Sequence, residues 1–194
     1  MTSPLILAST STYRKQLLER LRIPFATVAP DVDETALPGE LPQDLAERLS
    51  LDKATRVSIK EPEAIVIGSD QVCVLDGMAV GKPGTESVAV KQLMASSGKA
   101  LTSYTGVCVV APGHRPLINV VTTTVKMRTL SEAEIRRYVA LDMPTDCAGS
   151  FKWERLGVAL FESIEGCDPT ALAGLPLIAL CNQLRQVGLD PLDV

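Results

Sequence analysis

The chain has 194 residues, 46% of them hydrophobic and 22% charged, with a net charge of −4; it is long enough to bury a full core and lacks both the signature of disorder and the basic excess of a nucleic-acid binder. Its longest apolar runs, Val107 to Ala111 and Val158 to Phe161, are too short to cross a membrane, and five scattered cysteines without a Cys-x-x-Cys pair indicate neither a disulfide framework nor a zinc site. One domain spanning residues 1–194 is expected, in the cytoplasm, because Met1-Thr2-Ser3-Pro4 leads into an apolar strand without the basic and longer apolar segments of a secretory signal.

Leu5 to Ala8 reads as a strand, Ser9-Thr10-Ser11-Thr12 as a hydroxyl-rich turn, and Tyr13 to Leu21 as a helix with Leu17, Leu18 and Leu21 on its apolar stripe. Free backbone N–H groups and hydroxyls gather at that turn, where an anion can bind. Arg14 stands in the first helical turn, against the dipole, at a cost of about 0.3–1 kcal/mol. A bound phosphate would explain it, and so would an exposed head group in water.

Phe25 to Ala29 reads as a second strand, followed after Pro30 by Asp31-Val32-Asp33-Glu34. Such acidic clusters are solvated loops or ligands for Mg²⁺ or Mn²⁺, which take one or two carboxylates alongside substrate phosphate. A helix over about Gln43 to Ser58 turns Ala46, Leu49, Ala54 and Val57 inward, and Lys53 falls on the same side. That lysine either snorkels back to water or neutralises an anion.

Ile65-Val66-Ile67 is β-branched without polar alternation, the pattern of a strand buried on both faces, and it ends on Gly68-Ser69 before presenting Asp70 and Gln71. Asp70 there is a reactive carboxylate on a rigid mount, or a turn residue. Val72 to Leu75 and Met78 to Val80 flank a hairpin turn at Asp76-Gly77, and Gly81-Lys82-Pro83 places a lysine on a stiffened turn. Ser96-Ser97-Gly98-Lys99 is not a P-loop, since Leu93 and Ala100 replace its first glycine and its hydroxyl residue. The chain has no Gly-x-Gly-x-x-Gly, Gly-x-Ser-x-Gly or His-Glu-x-x-His sequence.

Thr105 to Val110 and Ile118 to Met127 read as strands, and Ser131-x-x-Glu134 as a capping box opening a helix with Ile135, Tyr138 and Val139 inward. Asp146 to Glu154 is a polar loop unusually rich in aromatics, Val158 to Phe161 a late strand, and Pro176 opens a terminal helix with Leu177, Leu180 and Leu184 inward. The order predicts an α/β fold: a mixed twisted sheet wrapped by helices, with two lobes around a central cleft.

Ala8-Ser9-Thr10-Ser11-Thr12-Tyr13-Arg14, Asp33-Glu34, Arg48 to Ala54, Ile67 to Val72, Gly81-Lys82-Pro83, Asp146 to Lys152 and Gly174 to Leu177 together resemble the Maf family, nucleoside triphosphate pyrophosphatases first named for septum inhibition. The resemblance spans nearly the whole chain in order. It implies a Maf/ITPase-like fold and cleavage between the α- and β-phosphates. Asp70 would be the proton acceptor, Glu34 and Asp70 the ligands of a divalent cation (Mg²⁺ or Mn²⁺), and Ser9, Arg14, Lys53 and Lys82 the phosphate contacts. Tyr13, Gln71 and Glu154 resemble the branch acting on 7-methyl-GTP; the sister branch acting on dTTP and UTP typically has Arg, Thr and Gln there. A homodimer is compatible with this reading; nucleic acid and membrane are not expected partners. The other class of reading is a non-enzymatic nucleotide-binding regulator of septum formation, which would have little use for bare carboxylates beside phosphate.

Overall fold

A computed structural model describes residues 3–193. Among them, seven strands and five α-helices follow the order β1 (Leu5–Ala8), α1 (Thr12–Glu19), β2 (Phe25–Val28), α2 (Pro42–Ser58), β3 (Ile65–Leu75), β4 (Met78–Ala79), α3 (Glu86–Ser96), β5 (Ala100–Val110), β6 (Leu117–Met127), α4 (Glu132–Asp142), β7 (Phe161–Glu165) and α5 (Leu177–Gln186). The sheet order is β2-β1-β3-β5-β6-β7, with β4 hairpinned onto β3. β1 runs parallel to both β2 and β3, and parallel neighbours need the crossovers that α1 and α2 supply. The expected mixed α/β sheet is present, and its two lobes are two compact units. The first holds the chain up to Gln71, Thr105–Val121 and the chain from Asp168; the second holds Val72–Tyr104 and Thr122–Cys167.

In the first unit the β-branched run does what its pattern predicts. Leu5, Leu7, Ile65, Ile67, Val107 and Val109 point to one face, against Leu17 and Leu18 of α1 and Leu177, Leu180 and Leu184 of α5. Ile6, Ala8, Val66 and Cys108 point to the other, against Ala54 and Val57 of α2. Each fully buried Leu or Ile contributes about 1.5–3 kcal/mol, so these two layers fix the strand positions. The strand also continues past Gly68, through Asp70 to Leu75, farther than the β-branched run reaches.

Two glycines let α2 rest on the sheet backbone to backbone. A Cβ built on Gly68 would lie 2.2 Å from Ser50 O and 2.6 Å from Ala54 N, and one on Gly106 would lie 2.3 Å from Ala46 O. At the other face, α5 opens on Pro176 without a capping side chain of its own. The buried Asp168 supplies the cap from a distance: its Oδ2 accepts from Ile178 N at 2.7 Å and Ala179 N at 3.3 Å. Its Oδ1 accepts from Thr170 N, which fixes the 3₁₀ turn Pro169–Ala173.

In the second unit the hairpin turn has positive φ at both Asp76 (51°) and Gly77 (80°), as a two-residue loop matched to strand twist requires. The Ser131–Glu134 capping box forms as expected. Helix α3, capped by Thr85, was not anticipated from the sequence. The late strand at Val158 to Phe161 is corrected: Leu156–Leu160 is a 3₁₀ turn, and the strand is Phe161–Glu165, paired antiparallel with β6. A short apolar run does not distinguish the two conformations, and this mostly exposed strand carries no apolar run of its own. Among the described residues the five cysteines form no disulfide; burial raises the thiol pKa to about 11 at Cys73 and about 12 at Cys108.

Candidate active site

Side chains alternate along β3, so Asp70 shares the α2 face with Val66 and Gly68 while Ser69 and Gln71 point to the opposite face. Because α2 is seated on Gly68, the inward lysine beside Ala54 meets Asp70 directly. Lys53 Nζ donates to Asp70 Oδ1 at 2.6 Å and pairs with Glu34 Oε1 at 2.5 Å. The Lys53 side chain is 4% exposed, Asp70 11% and Glu34 62%, so the lysine does not snorkel: it joins a buried carboxylate to a solvent-facing one.

Arg14 completes the cluster from the first turn of α1. Its Nε donates to Gly174 O at 2.8 Å. Burial lowers its pKa, while the charges of Asp70 and then Glu34 raise it. Its backbone N–H goes to the N-cap Ser11 Oγ, and Ser11 N donates to Ser9 Oγ at 3.1 Å, so Ser9, Tyr13 and Arg14 belong to one ordered turn.

Residues on the reverse face fix this arrangement from behind. Ser69 Oγ lies 2.7 Å from Gly106 O and 2.8 Å from Gly174 O, its one proton shared between them, and Gly174 O is the acceptor that also holds Arg14. Gln71 Nε2 donates to Ala171 O at 3.0 Å and Leu172 O at 3.1 Å, and lies 3.3 Å from Thr105 Oγ1, which itself donates to Ala171 O. All three neighbours are acceptors there, so the carboxamide oxygen must face away from them. Neither Ser69 nor Gly174 stands out in the sequence as a site residue, because the contacts that Gly174 O makes with Ser69 and Arg14 span 105 and 160 positions of the chain.

Glu34 and Asp70 direct one oxygen each at the same ammonium, which shows that two hard oxygen donors converge on one point. Among the described residues no group of three or more His, Cys, Asp and Glu could hold a metal. Two carboxylates fit an ion that brings the rest of its coordination from phosphate and water, as Mg²⁺ commonly does.

The second unit places Lys82 exposed on its turn, where Gly81 O accepts from Gln92 Nε2 at 3.2 Å. Gly149 and Ser150 both have positive φ (74° and 62°); for the buried Ser150 that conformation costs about 1–3 kcal/mol. Lys152 is buried and paired with Asp146 at 3.2 Å, and its N–H donates to Tyr138 Oη at 2.9 Å. Trp153 is half-buried with its indole N–H buried and without an acceptor, and Glu154 is exposed. Arg14, Glu34, Lys53 and Asp70 are thus brought together within the first unit, Gln71 lies on the reverse face of the same strand, and Lys82 and Glu154 belong to the second unit.

Removing the central ammonium takes from the buried Asp70 carboxylate its direct charged partner. Lys53→Ala is expected to destabilise the fold by about 3–5 kcal/mol, the usual effect of breaking a buried pair from one side. Urea unfolding would measure this, and Lys53→Ala combined with Asp70→Asn should recover much of the loss. Equal stability of Lys53→Ala and the parent would show that the pair is solvated.

A family model described as Maf-like protein matches residues 4–187. Similar chains include the 7-methyl-GTP pyrophosphatase of Aromatoleum aromaticum, 53% identical over 188 residues that cover 96% of this chain and 97% of that one. The 7-methyl-GTP pyrophosphatase of Xanthomonas axonopodis pv. citri is 53% identical over 184 residues, covering 95% and 96%. That of Chromohalobacter salexigens is 49% identical over 189 residues, covering 97% and 98%. Among solved structures, the Ham1 protein of Staphylococcus aureus shares the fold, with a TM-score of 0.52 at 12% identity over 94% of this chain and 100% of that one.

Proposed function

The chain belongs to the Maf family, and from that premise we propose that it hydrolyses the α–β phosphoanhydride of a nucleoside triphosphate, preferring 7-methyl-GTP and releasing 7-methyl-GMP and diphosphate. The main support is Asp70, a buried carboxylate on a rigid strand, held by an ammonium beside a second carboxylate and a guanidinium. Water attacks the α-phosphorus, its proton passes to the Asp70 carboxylate, and the bond to the bridging oxygen breaks as diphosphate leaves. Asp70 Oδ1 is committed to Lys53, so Oδ2 is the oxygen assigned to the proton. Arg14, Lys53 and the Ser9 hydroxyl hold phosphate oxygens, and preorganised cations at developing charge are the largest source of catalysis in such displacements. Glu34 and Asp70 would hold the divalent cation, which when bound neutralises phosphate charge and polarises the reacting centre.

For the base, Tyr13 supplies an aromatic face to the cationic 7-methylguanine ring, worth about 0.5–2 kcal/mol. Gln71 offers its Oε1 because its N–H groups are spent on backbone carbonyls, and the family resemblance adds Glu154 as a specificity residue. A modified nucleotide as substrate makes the enzyme a house-cleaning activity. In a kcat/KM series with Mg²⁺ or Mn²⁺, 7-methyl-GTP is expected to rank above GTP, dTTP and UTP, and Glu154→Gln with Gln71→Thr is expected to narrow the gap. If dTTP or UTP ranked first, the base assignment would fall while the chemistry stood. If nucleotides bound but no triphosphate were cleaved with any divalent metal, the regulator reading would replace it.

A further inference from the structure

We propose that Arg48 is a positioning residue that holds the Glu34 segment in place over α2; this rests on the reading that Glu34 serves the phosphate and metal site. Between β2 and α2 the chain runs through residues 29–41 without helix or strand, and irregular connections of this length in compact domains are commonly functional. Glu34 sits in the middle of it. Its pair with Lys53 engages a carboxylate that is 62% exposed, and contacts to so exposed a side chain contribute little to ordering an irregular segment.

The segment is ordered from the outer side of α2 by one guanidinium. Arg48 Nε and Nη2 take Glu40 Oε1 and Oε2 at 2.6 and 2.8 Å, a bidentate fork, and Nη2 also donates to Thr35 O at 3.1 Å. Nη1 reaches Asp52 Oδ2 at 3.3 Å, which orients the fork along its own helix. Glu40 Oε2 accepts in turn from Leu37 N at 2.9 Å, and Asp33 Oδ1 from Thr35 N at 2.9 Å. The residues on both sides of Glu34 are therefore fixed: Asp33 by its turn and Thr35 by Arg48. The Glu40 side chain is 8% exposed, and Arg48 holds its carboxyl pKa down at about 2. All three guanidinium nitrogens have protein partners, so Arg48 is placed to support the segment and is not assigned to substrate. Because Arg48 and Lys53 ride on the same helix, the latch and the ammonium that Glu34 meets move as one body.

Arg48→Lys keeps the charge and loses the fork, since a single ammonium cannot grip both Glu40 oxygens and the Thr35 carbonyl. Supporting residues around a metal typically change metal affinity or activity by about 10–100-fold when replaced. Arg48→Lys is expected to lower kcat, and to raise the Mn²⁺ midpoint measured by electron paramagnetic resonance with an α,β-methylene analogue of 7-methyl-GTP, by that order. Protease cleavage within residues 31–40 should quicken, and Glu40→Gln, which breaks the fork from the other side, should act in the same direction. In a Glu34→Gln background Arg48→Lys should add little. Effects of the two substitutions that multiply, or a loss of kcat with an unmoved Mn²⁺ midpoint, would overturn the inference and leave Arg48 a structural residue. An impaired Glu34→Gln beside an unimpaired Arg48→Lys would overturn it while the site reading stands. A fully active Glu34→Gln with an unmoved midpoint would remove the site reading and this inference together.

Discussion

Asp70→Asn is expected to fold and bind nucleotide while losing about 10²–10⁴-fold in kcat, the usual worth of a positioned general base. The two side chains have the same shape, and the amide oxygen can still accept from Lys53 Nζ, so the buried contact at 2.6 Å survives. The lost charge leaves Lys53 and Arg14 facing Glu34 alone, which should maintain or strengthen attraction for a polyphosphate. What disappears is an oxygen able to take the proton of water. Calorimetric titration with 7-methyl-GTP beside steady-state kinetics separates the two effects. A variant with near-parental kcat would make Asp70 a structural partner of Lys53 and nothing more.

Gly68→Ala is expected to be the most damaging single-methyl change in the first unit. Gly68 has no positive φ, so the obstacle is space: the new Cβ would stand 2.2 Å from Ser50 O and 2.6 Å from Ala54 N, both backbone atoms of α2. Neither can swing aside as a side-chain tip would. Overpacking of this kind costs about 1–3 kcal/mol and sometimes more, since a helix must lift from its sheet. The same shift draws Lys53 away from Asp70, so kcat should fall along with stability. Gly81→Ala, where a Cβ meets nothing within 4 Å, is the control for the methyl group itself. An unfolding midpoint for Gly68→Ala equal to that control would show that α2 is not seated on the strand backbone.

Features that depend on near neighbours along the chain are legible before folding is considered. Ile65-Val66-Ile67 announced a strand buried on both faces because period-two geometry leaves no other place for three consecutive β-branched side chains, and both cores are there. Ser131 and Glu134 announced a helix start, and Asp76-Gly77 a hairpin, because each motif satisfies its backbone within a few residues. Asp70 was legible as a candidate through the family motif, but whether Lys53 would reach water or an anion was not. That outcome was decided by Gly68 and Gly106, which admit the backbone of α2. The 3₁₀ turn at Leu156–Leu160 went unread because a short apolar run suits two conformations. Asp168 capping α5, Gln71 spending its amide on the 3₁₀ turn at Pro169–Ala173, and Arg48 gripping Glu40 were likewise decided by tertiary structure. A long polar side chain has several acceptable partners within reach of its local sequence, and only the packed chain determines which of them water can no longer replace.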